Sequence, residues 1–217
     1  MLVTPSHGVL RLVVTRVGAA PSPLPVSLLL SSLPPPPPAL LDAYLDTAER
    51  CFVRYGVGRT SLPDIARDLG VSRTTVYRRA GSIERLASLL ISRELHTLLA
   101  SLPEVLEGAE GPRTLTRLLA RVVRFCRDHP VIVKVLEDEP ELIGTFLRRQ
   151  LPSIIEQVRL AAEPLLTAAM ERQLIHHCEP GPLAELLVRQ VVSCIIVPPS
   201  SEIELFLDQI LVPLLEP

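Results

Sequence analysis

The densest group of side chains suited to recognition chemistry lies in residues 72–79, which read SRTTVYRR. An arginine can donate two hydrogen bonds to a guanine edge or to a phosphate, and a threonine methyl group can contact that of thymine. Hydroxyl groups commonly bind phosphate oxygens. The sequence offers no comparable catalytic group, since it has no recognisable Ser/His/Asp set and no phosphate-binding loop. The pattern indicates binding to nucleic acid and predicts that the chain is not an enzyme.

Charged residues are distributed unevenly along the chain, whose formal net charge is −2. Residues 59–85 carry six arginines and three acidic residues, which is a local charge of +3. Residues 86–217 carry twelve basic and eighteen acidic residues, which is a charge of −6. A basic segment joined to an acidic one predicts that one end of the molecule faces phosphate groups.

The spacing of three residues around the basic segment is typical of a helix-turn-helix. Ala66 supplies the small residue that a close helix crossing needs, and Gly70 supplies a turn residue that tolerates a positive φ. Val76 supplies an apolar anchor on the second helix, and Ile65 and Leu69 fill the other inward positions. An ordinary helical hairpin is the alternative to this interpretation.

The whole chain is predicted to be all-α. Hydrophobic residues make up 47% of it and aromatic residues 3%, a composition that suits helix packing better than sheet formation. From Ala39 onward, apolar residues recur at steps of three and four. About nine helices are expected, over residues 39–55, 61–70, 72–80, 82–99, 113–127, 130–138, 141–174, 181–197 and 202–215, with Pro152 and Pro164 kinking or dividing the seventh.

The sequence divides into three segments. Residues 1–38 end in the five-proline run Pro34–Pro38 and are expected to be a disordered, proline-rich extension. Two other interpretations are a start codon placed too far upstream and an arm that enters the minor groove. Residues 39–85 are expected to form the helix-turn-helix DNA-binding domain, and residues 86–217 a helical domain for effector binding and dimerisation.

A segment of about 47 residues resembles the TetR family of repressors: it runs from the first helix, through TSLPDIARDLGVSRTTVYRRAGSIERL at 60–86, to the start of the fourth helix. The positions that fit the family motif are Ile65, Ala66, Gly70, Val71, Ser72, Thr75, Val76, Tyr77, Ser82, Glu84 and Leu86. The resemblance implies that Thr75 and Tyr77 contact DNA and that Arg73 and Thr74 occupy the variable base-reading positions.

Three positions depart from the family motif. Arg79 replaces an aromatic residue or histidine, Ala80 a phenylalanine, and Ile83 a phosphate-binding lysine. The loss of the lysine predicts weaker DNA binding, for which Arg79 or Arg85 could compensate.

The predicted DNA-binding residues form two groups, one that reads bases and one that binds phosphates. Residues near the N-terminus of a recognition helix read bases, and hydroxyl and arginine groups elsewhere bind phosphates. The full set is Thr60, Ser61, Ser72, Arg73, Thr74, Thr75, Tyr77, Arg78, Arg79 and Ser82.

The last two predicted helices are expected to form a homodimer interface, because one recognition helix covers too few base pairs for selectivity. Apolar stripes on these helices would form a four-helix bundle with a partner. The candidates are Leu183, Leu187, Val191, Ile195, Ile203, Phe206, Leu207 and Ile210. An internal core face is the alternative, since it would show the same stripes.

The resemblance also implies a small-molecule site among the middle helices. Six apolar residues are candidates for its lining, although core packing predicts the same ones: Leu90, Leu118, Val122, Phe125, Leu136 and Phe146. Because few polar groups lie near them, we expect an apolar ligand.

Several weaker patterns limit the remaining functions. Arg113, Arg117, Arg121 and Arg124 share a helical face that could be a second nucleic-acid surface, but a solvated or self-paired face fits better because an acidic run follows at 137–141. His176-His177-Cys178 lacks the spacing of a metal site, and no cofactor is predicted. The four cysteines are far apart, and no apolar stretch is long enough to span a membrane, which favours a reduced, cytoplasmic protein.

These observations predict a homodimeric one-component regulator of transcription. We expect it to be a repressor that binds a palindromic operator and is released by a small-molecule effector. The alternative is a degenerate helical dimer of the same fold that binds a small molecule or a protein without reading DNA.

Overall fold

The computed structural model of the chain describes residues 35–102 and 111–217. These residues form ten α-helices, preceded by one 3₁₀ turn at Ala39–Leu41, and contain no strand. The prediction of an all-α fold is confirmed. The expectations for residues 1–34 lie outside the described residues, and no helix in the described ranges is both long and apolar enough to cross a membrane.

The helices follow the chain in an order close to the predicted one. We number them α1 to α10: Asp42–Tyr55, Leu62–Leu69, Arg73–Ala80, Ile83–Ala100, Pro112–Asp128, Pro130–Asp138, Pro140–Arg149, Leu151–Glu171, Pro180–Ile196 and Ile203–Leu215.

The count differs from the sequence-based prediction because the stretch 141–174 is two helices. Helix α7 ends at Arg149, and Pro152 lies in the first turn of α8, where a missing amide hydrogen costs no bond. Pro164 was expected to kink or divide the chain, but α8 is a continuous helix through it.

Helices α1 to α3 and the first half of α4 surround one apolar core, which we call the head core. Its largest fully buried side chains are Leu45, Phe52, Ile65 and Leu86. Leu90 belongs to this core too and is only 3% exposed. Leu90, a predicted lining residue of the effector site, therefore packs inside the head core, and its role toward an effector stays a prediction.

Helices α5, α8, α9 and α10 surround a second core, which we call the body core. Its members include Leu119, Leu166, Leu187 and Leu207. Between the two cores, α6 and α7 contain no fully buried side chain of their own. The middle of the molecule is thus packed less completely than either end.

Alanine substitutions at two glycines test whether the left-handed backbone of Gly70, rather than crowding of a side chain, requires glycine at the α2–α3 turn. Gly70 has a φ of 68°, whereas Gly144 lies inside α7, and a Cβ at either position meets no atom within 4 Å. Gly70→Ala should cost about 1–2 kcal/mol because an alanine strains in the left-handed region. Gly144→Ala should instead stabilise by about 0.5–1 kcal/mol, because glycine is unfavourable inside a helix.

Thermal unfolding followed by circular dichroism, at one fixed protein concentration, checks both changes. Equal effects of the two substitutions would show that the backbone conformation of Gly70 is not the constraint that we describe.

Candidate nucleic-acid interface

Helix α2 begins with the predicted capping box. The backbone N–H of Ser61 donates to Asp64 Oδ2 at 3.0 Å, and the Ser61 hydroxyl donates to the same oxygen. Arg67 forms an ion pair with Asp64 from the next turn. These contacts satisfy amide groups that a helix N-terminus leaves free, and they fix where α2 starts.

The turn between α2 and α3 has the geometry that the sequence spacing predicts. Gly70 adopts a left-handed conformation, and the N–H of Val71 donates to the carbonyl of Ala66 at 3.0 Å. Ala66 is 3% exposed and Val76 is fully buried. The predicted small residue, turn glycine and apolar anchor thus all occupy their expected places.

Helix α3 begins at a serine cap. The Ser72 hydroxyl accepts the backbone N–H of Thr75 at 3.1 Å, and the hydroxyl groups of the two residues lie 2.8 Å apart. The cap fixes the N-terminal turn, in which Arg73 and Thr74 are both exposed. The predicted base-reading residues therefore lie on a well-defined first turn rather than on a loose one.

The outer face of α3 carries cations without an ionic partner. Arg73, Arg78 and Arg79 are exposed, and in residues 35–102 and 111–217 none of them forms an ion pair. Tyr77 is 68% exposed beside them. By contrast, Arg93 on α4 bonds to Asp46, Glu49 and Glu94. The exposed face of α3 is free to bind an anion.

The hydroxyl groups of three predicted phosphate-binding residues are used inside the protein. Thr60 is 6% exposed, and its hydroxyl donates to the Gly56 carbonyl at 2.6 Å. Ser61 closes the capping box, and Ser82 accepts the N–H of Arg85 at 3.2 Å to cap α4. The side chain of Thr60 is therefore turned away from the surface, whereas Ser61 and Ser82 stay half-exposed at helix starts.

The residues that depart from the motif at 80 and 83 pack into the head core. Ala80 is fully buried in the head core, and Ile83 packs partly buried against the same core. Arg79, the third departure, is exposed on α3.

Three of the four arginines in the row on α5 form ion pairs with acidic residues of α10 or its N-cap, whereas Arg121 donates to the Ser101 hydroxyl. Arg113 pairs with Asp208, Arg117 with Glu204, and Arg124 with both Glu202 and Glu204. The sequence analysis expected a self-paired or solvated face and turned to the acidic run at 137–141 for the opposite charges. The partners in the structure come from the start of α10 instead.

The predicted dimer residues lie largely inside the single chain. Leu183, Leu187 and Leu207 are buried in the body core, and Val191, Ile203 and Phe206 are half-buried against it. Leu183, Leu187 and Leu207 are thus core residues of the single chain, and the assignment of the set to a dimer interface stays a prediction. Ile195 is half-buried, and Ile210 is 46% exposed. The exposed apolar side chains of α9 and α10 are Leu186, Leu205, Ile210 and Leu214.

The remaining effector candidates do not form one closed cavity. Leu118, Val122, Phe125 and Leu136 are half-buried between the two cores, while Phe146 is 40% exposed on α7. A groove of about 300 Å³ lies nearby, lined by Leu147, Leu151, Pro152, Ile155, Glu185 and Arg189. The sequence analysis did not identify the residues of this groove, which come from α7, α8 and α9.

The thiols and histidines show no arrangement suited to metal or redox chemistry in the described ranges. All four cysteines are free, and burial raises the pKa of the Cys126 thiol to about 11. No group of three potential ligands that could hold a metal ion occurs in the described part of the chain.

A short helix pair with this turn, a buried anchor and an outward cationic face is a helix-turn-helix domain of the DNA-binding type. Residues 45–89 match the family model described as bacterial regulatory proteins, tetR family. An uncharacterised helix-turn-helix-type transcriptional regulator of Mycobacterium bovis is 33% identical over 95 residues, which are 44% of this chain and 49% of that protein. The resemblance to the tetR family of bacterial regulatory proteins is therefore supported over residues 45–89.

Solved structures show the same fold over most of the chain. A TetR-family regulator from Pectobacterium atrosepticum matches with a TM-score of 0.59 at 14% identity, covering 88% of this chain and 93% of its own. The TetR-family repressor AlkX from Dietzia matches with a TM-score of 0.56 at 18% identity, covering 79% and 95%. The alignment with the M. bovis relative, in contrast, spans about half of that protein's length.

Two serine caps make a matched pair of pKa predictions. The Ser61 hydroxyl holds the pKa of Asp64 below its ordinary value, and the Ser82 hydroxyl does the same for Glu84. Ser61→Ala should therefore raise the pKa of Asp64 alone, and Ser82→Ala that of Glu84 alone. Carboxyl ¹³C titration by NMR measures both groups in each variant.

The same shifts fix the direction of the pH effect. A carboxyl whose pKa is depressed by folding stabilises the fold above its unfolded pKa, and this contribution is lost as the pH falls through the folded value. An unchanged pKa of Asp64 in Ser61→Ala would contradict the role of the capping box.

Proposed function

We propose that the chain is a homodimeric one-component repressor that binds a palindromic operator and is released by a small-molecule effector. One observation carries the DNA-binding part of this proposal. The exposed face of α3 presents three arginines that have no ionic partner among the described residues, on a helix that a serine cap and a buried valine hold in place. Such a face fits the major groove, where arginine recognises guanine and phosphates attract cations.

The residues of α3 divide their work by position. Arg73 and Thr74 lie at the N-terminal end, from which a recognition helix contacts base edges. Tyr77 and Arg78 lie further along the exposed face and suit phosphate contacts. The Thr75 hydroxyl is hydrogen-bonded to the Ser72 hydroxyl. Thr75 would therefore contact DNA through its methyl group or through this pair of hydroxyl groups.

The proposed dimer uses the exposed face of the last two helices. Leu186 on α9 and Leu205, Ile210 and Leu214 on α10 are each 46% exposed or more. Exposed large apolar side chains on helices of this kind can form protein contacts. An interface formed by them would include Ile210 of the predicted stripe, whose members Leu183, Leu187 and Leu207 the chain itself buries.

The proposed effector site lies between the head core and the body core. The apolar side chains there are half-buried, so an apolar ligand would gain contacts that the free chain lacks. Effector release requires that the ligand bind more tightly to a state in which the two heads misfit the operator. Half-sites lie about 34–36 Å apart or at multiples of that distance, so a small change of head spacing weakens binding.

Arg73→Ala tests base reading against a matched control. We expect it to weaken binding to a selected operator by about 1–3 kcal/mol and to relax selectivity at one base position. Arg148→Ala removes an exposed arginine from α7, far from the head in the sequence, and should leave binding unchanged. Competition binding with single-base operator variants measures both effects, and equal losses in the two variants would contradict the assignment.

Ile210→Glu tests the dimer interface against Ile91→Glu, which makes the same change on α4. Ile210 is 46% exposed and Ile91 is 62% exposed, so neither change should unfold a single chain. A charge buried at an interface without a partner is costly, so we expect Ile210→Glu to raise the dimer dissociation constant at least about tenfold. Sedimentation equilibrium measures it, and a dimer that Ile91→Glu weakens equally would contradict the proposed face.

The degenerate helical dimer that does not read DNA is the second candidate. Its motivation is the absence of the family's lysine at Ile83 and of its phenylalanine at Ala80. Sequence-blind, salt-sensitive binding by the unmodified protein would favour it, whereas tight binding to one selected duplex would exclude it.

A further inference from the structure

Glu139 is a buried carboxylate at the joint between two helices of the body. Its backbone N–H donates to the carbonyl of Val135 in the last turn of α6, and its own carbonyl accepts the backbone N–H of Leu142 in the first turn of α7. The residue is only 4% exposed. A buried carboxylate is costly unless it is hydrogen-bonded, so its partners show what it does.

Those partners belong to the DNA-binding head. Glu139 Oε2 accepts the backbone N–H of Val57 at 2.6 Å, and Oε1 accepts that of Gly58 at 2.9 Å. Both amides lie in the turn that follows α1, more than eighty positions earlier in the sequence. The carboxylate thus binds two consecutive amides of the head with its two oxygens. We call this contact the Glu139 clamp.

The head turn is shaped to receive the carboxylate. A Cβ at Gly56 would lie 2.8 Å from the carboxyl atoms of Glu139, and one at Gly58 would lie 3.0 Å from its Oε1. Gly56 also has a φ of 94°, which other residues rarely adopt. The two glycines of the Gly-Val-Gly turn therefore leave room for the carboxylate, which a Cβ at either position would press upon.

An open groove of about 650 Å³ lies beside the clamp, between the head residues Arg54, Tyr55, Arg59, Asp64 and Arg67 and the α6 residues Lys134 and Asp138. At the other end of α6, Val131 packs against the head core. The clamp is therefore a bidentate polar attachment of the α6–α7 joint to the head.

We infer that Glu139 is a positioning residue that couples the α6–α7 joint to the angle of the DNA-binding head. The inference rests on the proposed function and specifies how a displacement of α6 and α7 changes the position of α3. Charge-assisted hydrogen bonds are short and directional, so a displacement of the joint by about 1 Å either carries the turn with it or breaks both bonds. A ligand that parts α6 from α7 would move or release the head, and thereby change the spacing of the two heads.

Glu139→Gln tests the clamp with the least change of shape, because an amide keeps one acceptor and turns a donor toward the second N–H. Glu137→Gln is the matched control, since it makes the same change on an exposed residue of α6. Gly58→Ala is a second variant that presses on the carboxylate from the head. If Glu139→Gln fails to fold, as judged by circular dichroism, Gly58→Ala decides the question.

The first readout is amide hydrogen exchange measured by NMR. Loss of charge-assisted hydrogen bonds should speed exchange at Val57 and Gly58 at least about tenfold in Glu139→Gln, and Glu137→Gln should match the unmodified protein. Unchanged exchange at both amides would overturn the inference, whatever the behaviour toward DNA.

The second readout separates positioning from mere stability. Each protein selects duplexes from a random pool, and sequencing gives the preferred half-site and the distribution of half-site spacings. We expect Glu139→Gln to keep the half-site but to accept spacings that the unmodified protein rejects. The same narrow spacing in both would overturn the inference. If the unmodified protein selects no motif at all, the proposed function fails and this inference fails with it.

Discussion

The close crossing of α2 and α3 is the contact on which the reading of DNA depends. It requires a small side chain at Ala66, a left-handed residue at Gly70 and an anchor at Val76, and the structure has all three. Because Val76 and Ala80 face the head core, the remaining side chains of α3 must face outward. The arginines of α3 are therefore exposed because Val76 and Ala80 are buried.

The two cores and the two helices between them determine how the rest of the chain can act on that head. The head core and the body core are each well packed, whereas α6 and α7 between them contain no fully buried side chain. A loosely packed middle can change shape at low cost, while two firm cores move as units. Polar contacts at the ends of α6 then determine what is transmitted. His129 approaches Glu49 and Glu94 at 3.9 Å at one end, and Glu139 binds the head turn at the other.

The sequence predicted the head well because its constraints are local. Ser61, Gly70 and Ser72 act within four positions of their partners, so spacing alone indicates their roles. The apolar stripe of α9 could not be assigned in this way, since a core face and an interface face share one pattern. Leu187 proved to be internal because α9 packs on α5 and α8.

The Glu139 clamp could not be predicted from sequence for a related reason. Glu139 lies in an acidic run that is typical of a solvated surface, and its partners are backbone amides, which have no signature of their own. The one signal in the sequence is the Gly-Val-Gly turn at 56–58, which marks the end of α1 but does not indicate what binds there. Long-range polar contacts of this kind need the three-dimensional structure.

The most direct test of the account is the ratio of two affinities of the unmodified protein. Fluorescence anisotropy would measure its binding to the duplex most enriched from a random pool and to a scrambled duplex of the same composition, at two salt concentrations. The account predicts binding at least about a thousandfold tighter to the enriched duplex, weakening with salt as phosphate contacts require. Equal and weak binding to both duplexes would contradict it, because α3 would then attract phosphate without reading bases.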